Sequence, residues 1–114
     1  FADESVHELA DVGNLAGRVD GVNLKLMKTG GLRAALRMIH AARALGMKVM
    51  LGSMVESSLA LSAAAQLSPL ADYLDLAGHW LLADDPFDGA PRERGAIVLS
   101  ERPGLGAVPA GGAA

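Results

Sequence analysis

Cysteine is missing altogether from the 114 residues, and the aromatics number only four: Phe1, Tyr73, Trp80 and Phe87. The first absence excludes a disulfide scaffold and any thiolate metal site, and it suits a reducing compartment such as the cytoplasm. The second leaves apolar packing to small aliphatic side chains, and 21 of the residues are alanine. Long apolar runs are missing too. None approaches the roughly 20 residues of a membrane span, and no basic segment precedes an apolar one as in a signal peptide. An excess of positive charge is also absent: 10 lysines and arginines face 13 aspartates and glutamates, a formal charge of −3. Such a balance offers no electrostatic footing for nucleic acid or an anionic membrane. What is present is an ordinary globular composition, 51% hydrophobic and 20% charged. The length suits one small domain or part of a larger one, and an opening at Phe1, inside what reads as a strand, leads us to expect the second.

Ser5 and Glu8 stand three apart at the head of an apolar-periodic run, the spacing of a capping box. Val6, Leu9, Ala10, Val12, Leu15 and Ala16 keep one face apolar, so a helix is expected there, with a stop at Gly17. A β-leaning run from Gly21 to Leu26 follows. Gly30-Gly31 opens a second helix that closes at Gly46. Leu32, Leu36, Ile39 and Leu45 are expected on its buried side, with Arg33, Arg37 and Arg43 in solvent. Lys48 to Leu51 reads as a buried strand, Glu56 to Leu67 as an alanine-rich helix ending before Pro69, and Asp72 to Leu76 as a further strand. With a strand remnant at Phe1, strand and helix alternate through short connections, which argues for an α/β fold of parallel βαβ units. Beyond Trp80 the texture changes. Asp84, Asp85, Pro86, Asp88 and Gly89 make an acidic, turn-rich loop, Ala96 to Leu99 a short strand and Pro103-Gly104-Leu105-Gly106 a turn; the residues ending in Gly111-Gly112-Ala113-Ala114 are expected to fray. The organisation expected is a βα body over residues 1–83 and an irregular tail over 84–114, whose short strand packs on that body or on a capping domain.

In a parallel βα array the chemistry gathers at the carboxyl ends of the strands. The polar residues falling there are Asp3 with Glu4, Lys25 with Lys28, Ser53 with Glu56, and Asp75, each set ending a different strand. A carboxylate in that ring can hold a hard cation such as Mg²⁺, and a lysine facing it can move a proton. Other residues have plainer readings. His7 and His40 fall inside helices with no partner at metal spacing, whereas His79 follows the last strand close to the rim. Lys28 reads as a helix-entry lysine and Gly30-Gly31 as a tight turn. Glu56 reads equally as a pocket residue or a cap. Met27, Met38, Met47 and Met50 read as core filler, with Met54 set apart by its position after a strand. Asp84, Asp85 and Asp88 read as a solvated loop without calcium-loop spacing.

Four strings in order sharpen these readings: Ala2-Asp3-Glu4-Ser5, Asn23-Leu24-Lys25-Leu26-Met27-Lys28-Thr29-Gly30-Gly31, Gly52-Ser53-Met54-Val55-Glu56-Ser57-Ser58, and Asp75-Leu76-Ala77-Gly78. Over nearly the whole chain the pattern resembles the muconate-lactonizing subgroup of the enolase superfamily, most of all the dipeptide epimerases of the L-Ala-D/L-Glu type. The resemblance implies the carboxyl-terminal part of a (β/α)7β barrel. It implies that Asp3 is the third carboxylate ligand of a catalytic Mg²⁺, after the fifth barrel strand, and that Lys25 is one acid/base lysine, after the sixth. Ser53 and the backbone of Val55 are implied as pocket-lining positions, and Asp75 as the first acid of an Asp-x-Asp pair that binds the ammonium group of a dipeptide. Here the second position of that pair is Ala77. The implied reaction is proton abstraction next to a carboxylate through an enediolate, with a second lysine and two further metal carboxylates that this sequence does not supply. The implied partner is a small dipeptide or N-acyl amino acid, handled by a homo-oligomeric parent enzyme. An N-acylamino-acid racemase, an o-succinylbenzoate synthase and a non-catalytic truncated piece are the alternatives. The piece alone is expected to be inactive.

Overall fold

In the computed structural model of the chain, residues 1–89 and 92–111 are described. Val22, Leu24, Val49 and Leu51 alternate with Gly21, Asn23, Met50 and Gly52, and that period of two gives each strand two distinct faces. β1 (Gly21–Leu24), β2 (Lys48–Gly52) and β3 (Tyr73–Asp75) form one parallel sheet in the order β1-β2-β3. The strand expected at Phe1 lies beside β1: Ala2 N–H donates to Gly21 O at 2.9 Å, and Asn23 N–H donates to Ala2 O at 2.7 Å. Each strand therefore sits next to the one that follows it in the chain. A doubly wound sheet holds such an unreversed run only within one half, before its switch point, whereas a barrel continues it around.

Curvature favours the barrel. Phe1 and Tyr73 stand three strands apart, which a flat sheet would hold at about 14 Å. Their rings nonetheless meet edge to face with centroids 5.5 Å apart, so the sheet curls strongly toward the face that carries them. The opposite face is the core. Val22, Leu24, Val49 and Leu51 are buried there against Val6 and Val12 and against Ala35, Met38, Ile39 and Ala42 of the principal helix.

That helix, α3 (Leu32–Ala44), ends as expected, with Gly46 just beyond it at φ 74°. Its arginines are exposed, but its buried face differs from expectation. Leu36 and Leu45 point outward, Leu32 is half-buried, and Ala35, Met38, Ile39 and Ala42 turn inward. The helix packs on β1, β2 and α1 (Leu9–Leu15) together, and alanine at two of the four buried positions permits that close approach. α1 begins later than the Ser5–Glu8 spacing suggested. Val6 is fully buried and its N–H bonds back to Asp3 O at 3.0 Å, so the preceding residues form a turn. The helix is capped instead by Asp11, whose carboxylate accepts the N–H groups of His7 and Glu8 at 2.9 Å each.

α4 (Ser58–Ala65) starts two residues after the expected Glu56, with Ser57 at the N-cap position. Asp85, read as solvated loop, supplies the cap. Its carboxylate accepts Ser58 N–H at 2.8 Å, and Ser58 Oγ donates to Phe87 O at 2.6 Å. Burial pushes the Asp85 carboxyl up, but the Phe87 and Ser58 hydrogen bonds outweigh it and hold the group below the usual carboxylate value. The tail is also more ordered than expected. β4 (Phe87–Asp88) pairs antiparallel with β7 (Val108–Pro109), and β5 (Arg92–Glu93) with β6 (Ala96–Ile97), a shorter strand than Ala96 to Leu99. Gly112 to Ala114, expected to fray, lie outside the described residues. Met38 and Met47 are core as read and Met50 is half-buried, but Met27 is 70% exposed. No helix among the described residues is long and apolar enough to cross a membrane.

Candidate active site

The string Lys25-x-x-Lys28-x-Gly30-Gly31 folds as a single helical turn. Lys25 ends β1 and serves as the N-cap of α2 (Leu26–Thr29), a helix that the sequence reading missed. Residues three apart on a helix share a face, so both ammonium groups lie on the same side of the strand end. The glycines make so short a helix possible. Gly30 closes it at φ 85°, and Gly31 leads into α3 at φ 113°, a region open to glycine and almost no other residue.

Both lysines reach Asp3, which stands at the end of the neighbouring strand. Lys25 Nζ lies 2.9 Å from Asp3 Oδ2. Lys28 Nζ lies 2.8 Å from Oδ1 and donates to the Asp3 main-chain oxygen at 2.6 Å. Asn23 Nδ2 donates to Oδ2 at 3.0 Å. The lysine side chains are 14% and 10% exposed, so these are sheltered contacts, not the screened ion pairs of a surface. Burial pushes the Asp3 carboxyl up, but hydrogen bonds from Lys28 and Lys25, with the charges of both, outweigh it and hold the group below the usual carboxylate value. Lys28 is thus no helix-entry lysine. Its spacing from Lys25 was the available signal, one helical turn in which the second lysine must face where the first does.

One strand further on, Ser53 and Asp75 come together. Ser53 Oγ donates to Asp75 O at 3.3 Å and accepts Gly78 N–H at 3.1 Å. The loops after β2 and β3 are laced through one hydroxyl. A side chain at Gly78 would strike Met54 O, so that crossing tolerates only glycine. Asp75 is exposed and lines a cleft with Ala77 along the edge of β3. Val55 is 58% exposed on the loop after β2. Glu56 neither caps α4 nor points away from the loop, for Met54 N–H donates to its Oε1 at 2.7 Å. The His79 ring lies tilted against Trp80, and its Nδ1 is buried with no partner among the described residues. His7 and His40 are exposed.

Asp3, Lys25, Ser53 and Asp75 therefore end four successive parallel strands, with the first two in direct contact. The oxygen donors at Asp3 suit a hard divalent cation. Asn23 Oδ1, on a residue only 9% exposed, has no hydrogen-bond partner among the described residues. Such an orphan acceptor is what the water shell of a cation can satisfy. No group of three or more histidines and acids able to hold a metal forms among the described residues, so a cation at Asp3 would draw further ligands from elsewhere.

Comparison with known proteins gives this arrangement a family. The sequence profile described as "Enolase C-terminal domain-like" matches residues 1–112. An L-Ala-D/L-Glu epimerase from Bacteroides thetaiotaomicron is 48% identical over 108 residues, 95% of this chain and 28% of the relative. An N-acetyl-D-glutamate racemase from a Pseudoalteromonas species is 46% identical over 84 residues, 74% of this chain and 27% of the relative. The crystal structure of the dipeptide epimerase from Methylococcus capsulatus, complexed with Mg and the dipeptide L-Arg-D-Lys, superposes with a TM-score of 0.89 at 40% identity. That superposition covers 94% of this chain and 32% of the other. The chain spans less than a third of the length of these relatives. With its profile match, its unreversed parallel sheet and its strand-end residues, the chain belongs to the enolase C-terminal domain-like family.

Proposed function

We propose that the chain is the carboxyl-terminal part of a Mg²⁺-dependent dipeptide epimerase, carrying one metal ligand and one of the two proton-transferring lysines. The observation that carries the proposal is the contact of Lys25 Nζ with Asp3 Oδ2 at 2.9 Å, across neighbouring strand ends, in a chain of this family. Asp3 would hold the cation, which when bound neutralises charge that develops on the substrate carboxylate. Lys25, released from its ion pair with Asp3, carries the α-proton on one face of the substrate. Asp75, exposed at the end of β3, pairs with the ammonium group of the dipeptide. Ser53 holds the two loops that flank Asp75, and the backbone of Val55 lines the pocket beside it.

A second reading is favoured by Ala77. It lines the same cleft as Asp75 and brings no charge, which suits an N-acyl amino acid, a substrate with no ammonium group to bind. The N-acetyl-D-glutamate racemase among the relatives supports it. In the full-length enzyme, Lys25→Ala is expected to abolish α-proton exchange in D₂O on one stereoisomer of Ala-Glu, by about 10²–10⁴-fold, while Mg²⁺ binding persists. Exchange retained on both stereoisomers overturns the assignment of Lys25.

A further inference from the structure

Resting on the epimerase reading above, we propose that Lys28 is a positioning residue: it grips Asp3 at the main-chain oxygen and at Oδ1, and so sets the affinity of that carboxylate for a divalent cation. Its ammonium lies 2.6 Å from Asp3 O and 2.8 Å from Oδ1, on a side chain only 10% exposed. The first contact fixes where the Asp3 backbone sits, and the second fixes the rotation of its carboxylate. Two points on one residue define an orientation, which a single ion pair does not. Lys25 makes one such contact, to Oδ2, and must leave it to reach a substrate carbon. Once Lys25 withdraws, Lys28 and the Asn23 amide, 3.0 Å from Oδ2, are what still orient the group. Glu4 is the weaker partner of Lys28, its Oε2 3.9 Å away on a side chain 91% exposed.

Charge alone predicts the opposite effect. An ammonium beside a carboxylate repels an incoming divalent ion, so a lysine that merely neutralised Asp3 would weaken metal binding, and its removal would tighten it. Orientation predicts that removal loosens it, because residues that hold metal ligands in place are typically worth about 10- to 100-fold in affinity. The sign of the change separates the two roles.

Calorimetric titration of the full-length enzyme with Mg²⁺, in the absence of substrate, reads that sign directly. Lys28→Met is expected to bind Mg²⁺ about 10- to 100-fold more weakly, and Lys28→Arg to recover most of the loss, since a guanidinium can still reach both oxygens. An unchanged or tighter Kd in Lys28→Met overturns the proposal. If that variant does not fold, a crystal structure of the Mg²⁺-loaded wild type decides. Lys28 Nζ still bonded to Asp3 O and to a carboxylate oxygen supports the role, and Lys28 drawn away from Asp3 overturns it. Failure of the epimerase reading looks different: the wild type then shows no Mg²⁺ binding that Asp3→Asn abolishes. That outcome overturns both proposals, whereas Asp3-dependent binding with a silent Lys28→Met overturns only the second.

Discussion

At the scale of single residues, position 77 separates the two substrate readings. Asp75 is exposed at the end of β3, and Ala77 stands two residues on in the same cleft. A hydrogen bond to a charged group is worth about 1.5–3 kcal/mol, or about 10- to 100-fold in an equilibrium constant. In the full-length enzyme, Ala77→Asp is therefore expected to raise kcat/KM for Ala-Glu by up to that factor, and to lower it for an N-acetylated substrate, which has no ammonium to offer. Steady-state kinetics on the two substrates check it, and an unchanged ratio counts against an ammonium site at Asp75. The strand-end positions of Asp3, Lys25, Ser53 and Asp75 were legible because strand ends follow from the pattern of apolar residues, whereas the roles expected of them came from the resemblance of the four strings. The contacts that Lys28 and Asn23 make with Asp3 were not. Both depend on which neighbouring strand end lies within 3 Å, and nothing in a linear sequence states the stagger between strands.

Among the elements, the strands and the extent of α3 were readable, because β-branched runs and a terminal glycine report local preference. The buried face of α3 was not. Leucine at positions 36 and 45 favours one face by hydrophobicity, but close packing on both the sheet and α1 favours the face with alanine at 35 and 42. Tertiary packing prevailed over side-chain size. A second tie between elements lies at the opposite end of the sheet from the site. Asp72 accepts Val49 N–H at 2.8 Å and pairs with Arg43 at 3.0 Å, while Arg43 Nη2 donates to Leu70 O at 3.0 Å. The carboxylate thus joins the end of α3 to the entry of β3. The Val49 N–H bond and the Arg43 charge hold the Asp72 carboxyl below its usual value. A group depressed on folding adds stability that is fully present above its unfolded pKa, about 3.9, and is lost as pH falls through the lower folded value. Urea unfolding of the chain, at one fixed low concentration because association shifts the midpoint, should therefore give a midpoint that is level from pH 7 to about pH 5 and falls below about pH 4. Asp72→Asn should start from a lower midpoint at pH 7 and show a shallower acid decline. An acid decline as steep as the wild type's would place the responsible carboxylates elsewhere, at Asp3, Asp11 or Asp85.

For the whole molecule, shape and surface lead to one conclusion. The chain measures 49 × 26 × 26 Å with a radius of gyration of 14.5 Å, against about 13 Å for a compact domain of this length. The concave face that curls around Phe1 and Tyr73 leaves these rings 51% and 48% exposed, and Leu74, Trp80 and Leu81 are open as well. Beyond β3 no further strand of the parallel sheet is paired among the described residues. A parallel edge with exposed apolar side chains is a template for another chain. In the relatives the remaining two-thirds of the sequence is available to cover such surfaces. The chain by itself is therefore expected to self-associate. Light scattering behind size exclusion should give a mass well above 11.7 kDa that rises with concentration. Leu74→Lys, which puts a charge on the open edge, should shift it toward monomer. Co-expression with the amino-terminal two-thirds of a dipeptide epimerase should replace the aggregates with a one-to-one complex, because strands supplied by that partner cover the same edge and face. A stable monomer at every concentration, indifferent to that partner, would mean that the curled sheet is sufficient alone and that its concave face is not built to be covered.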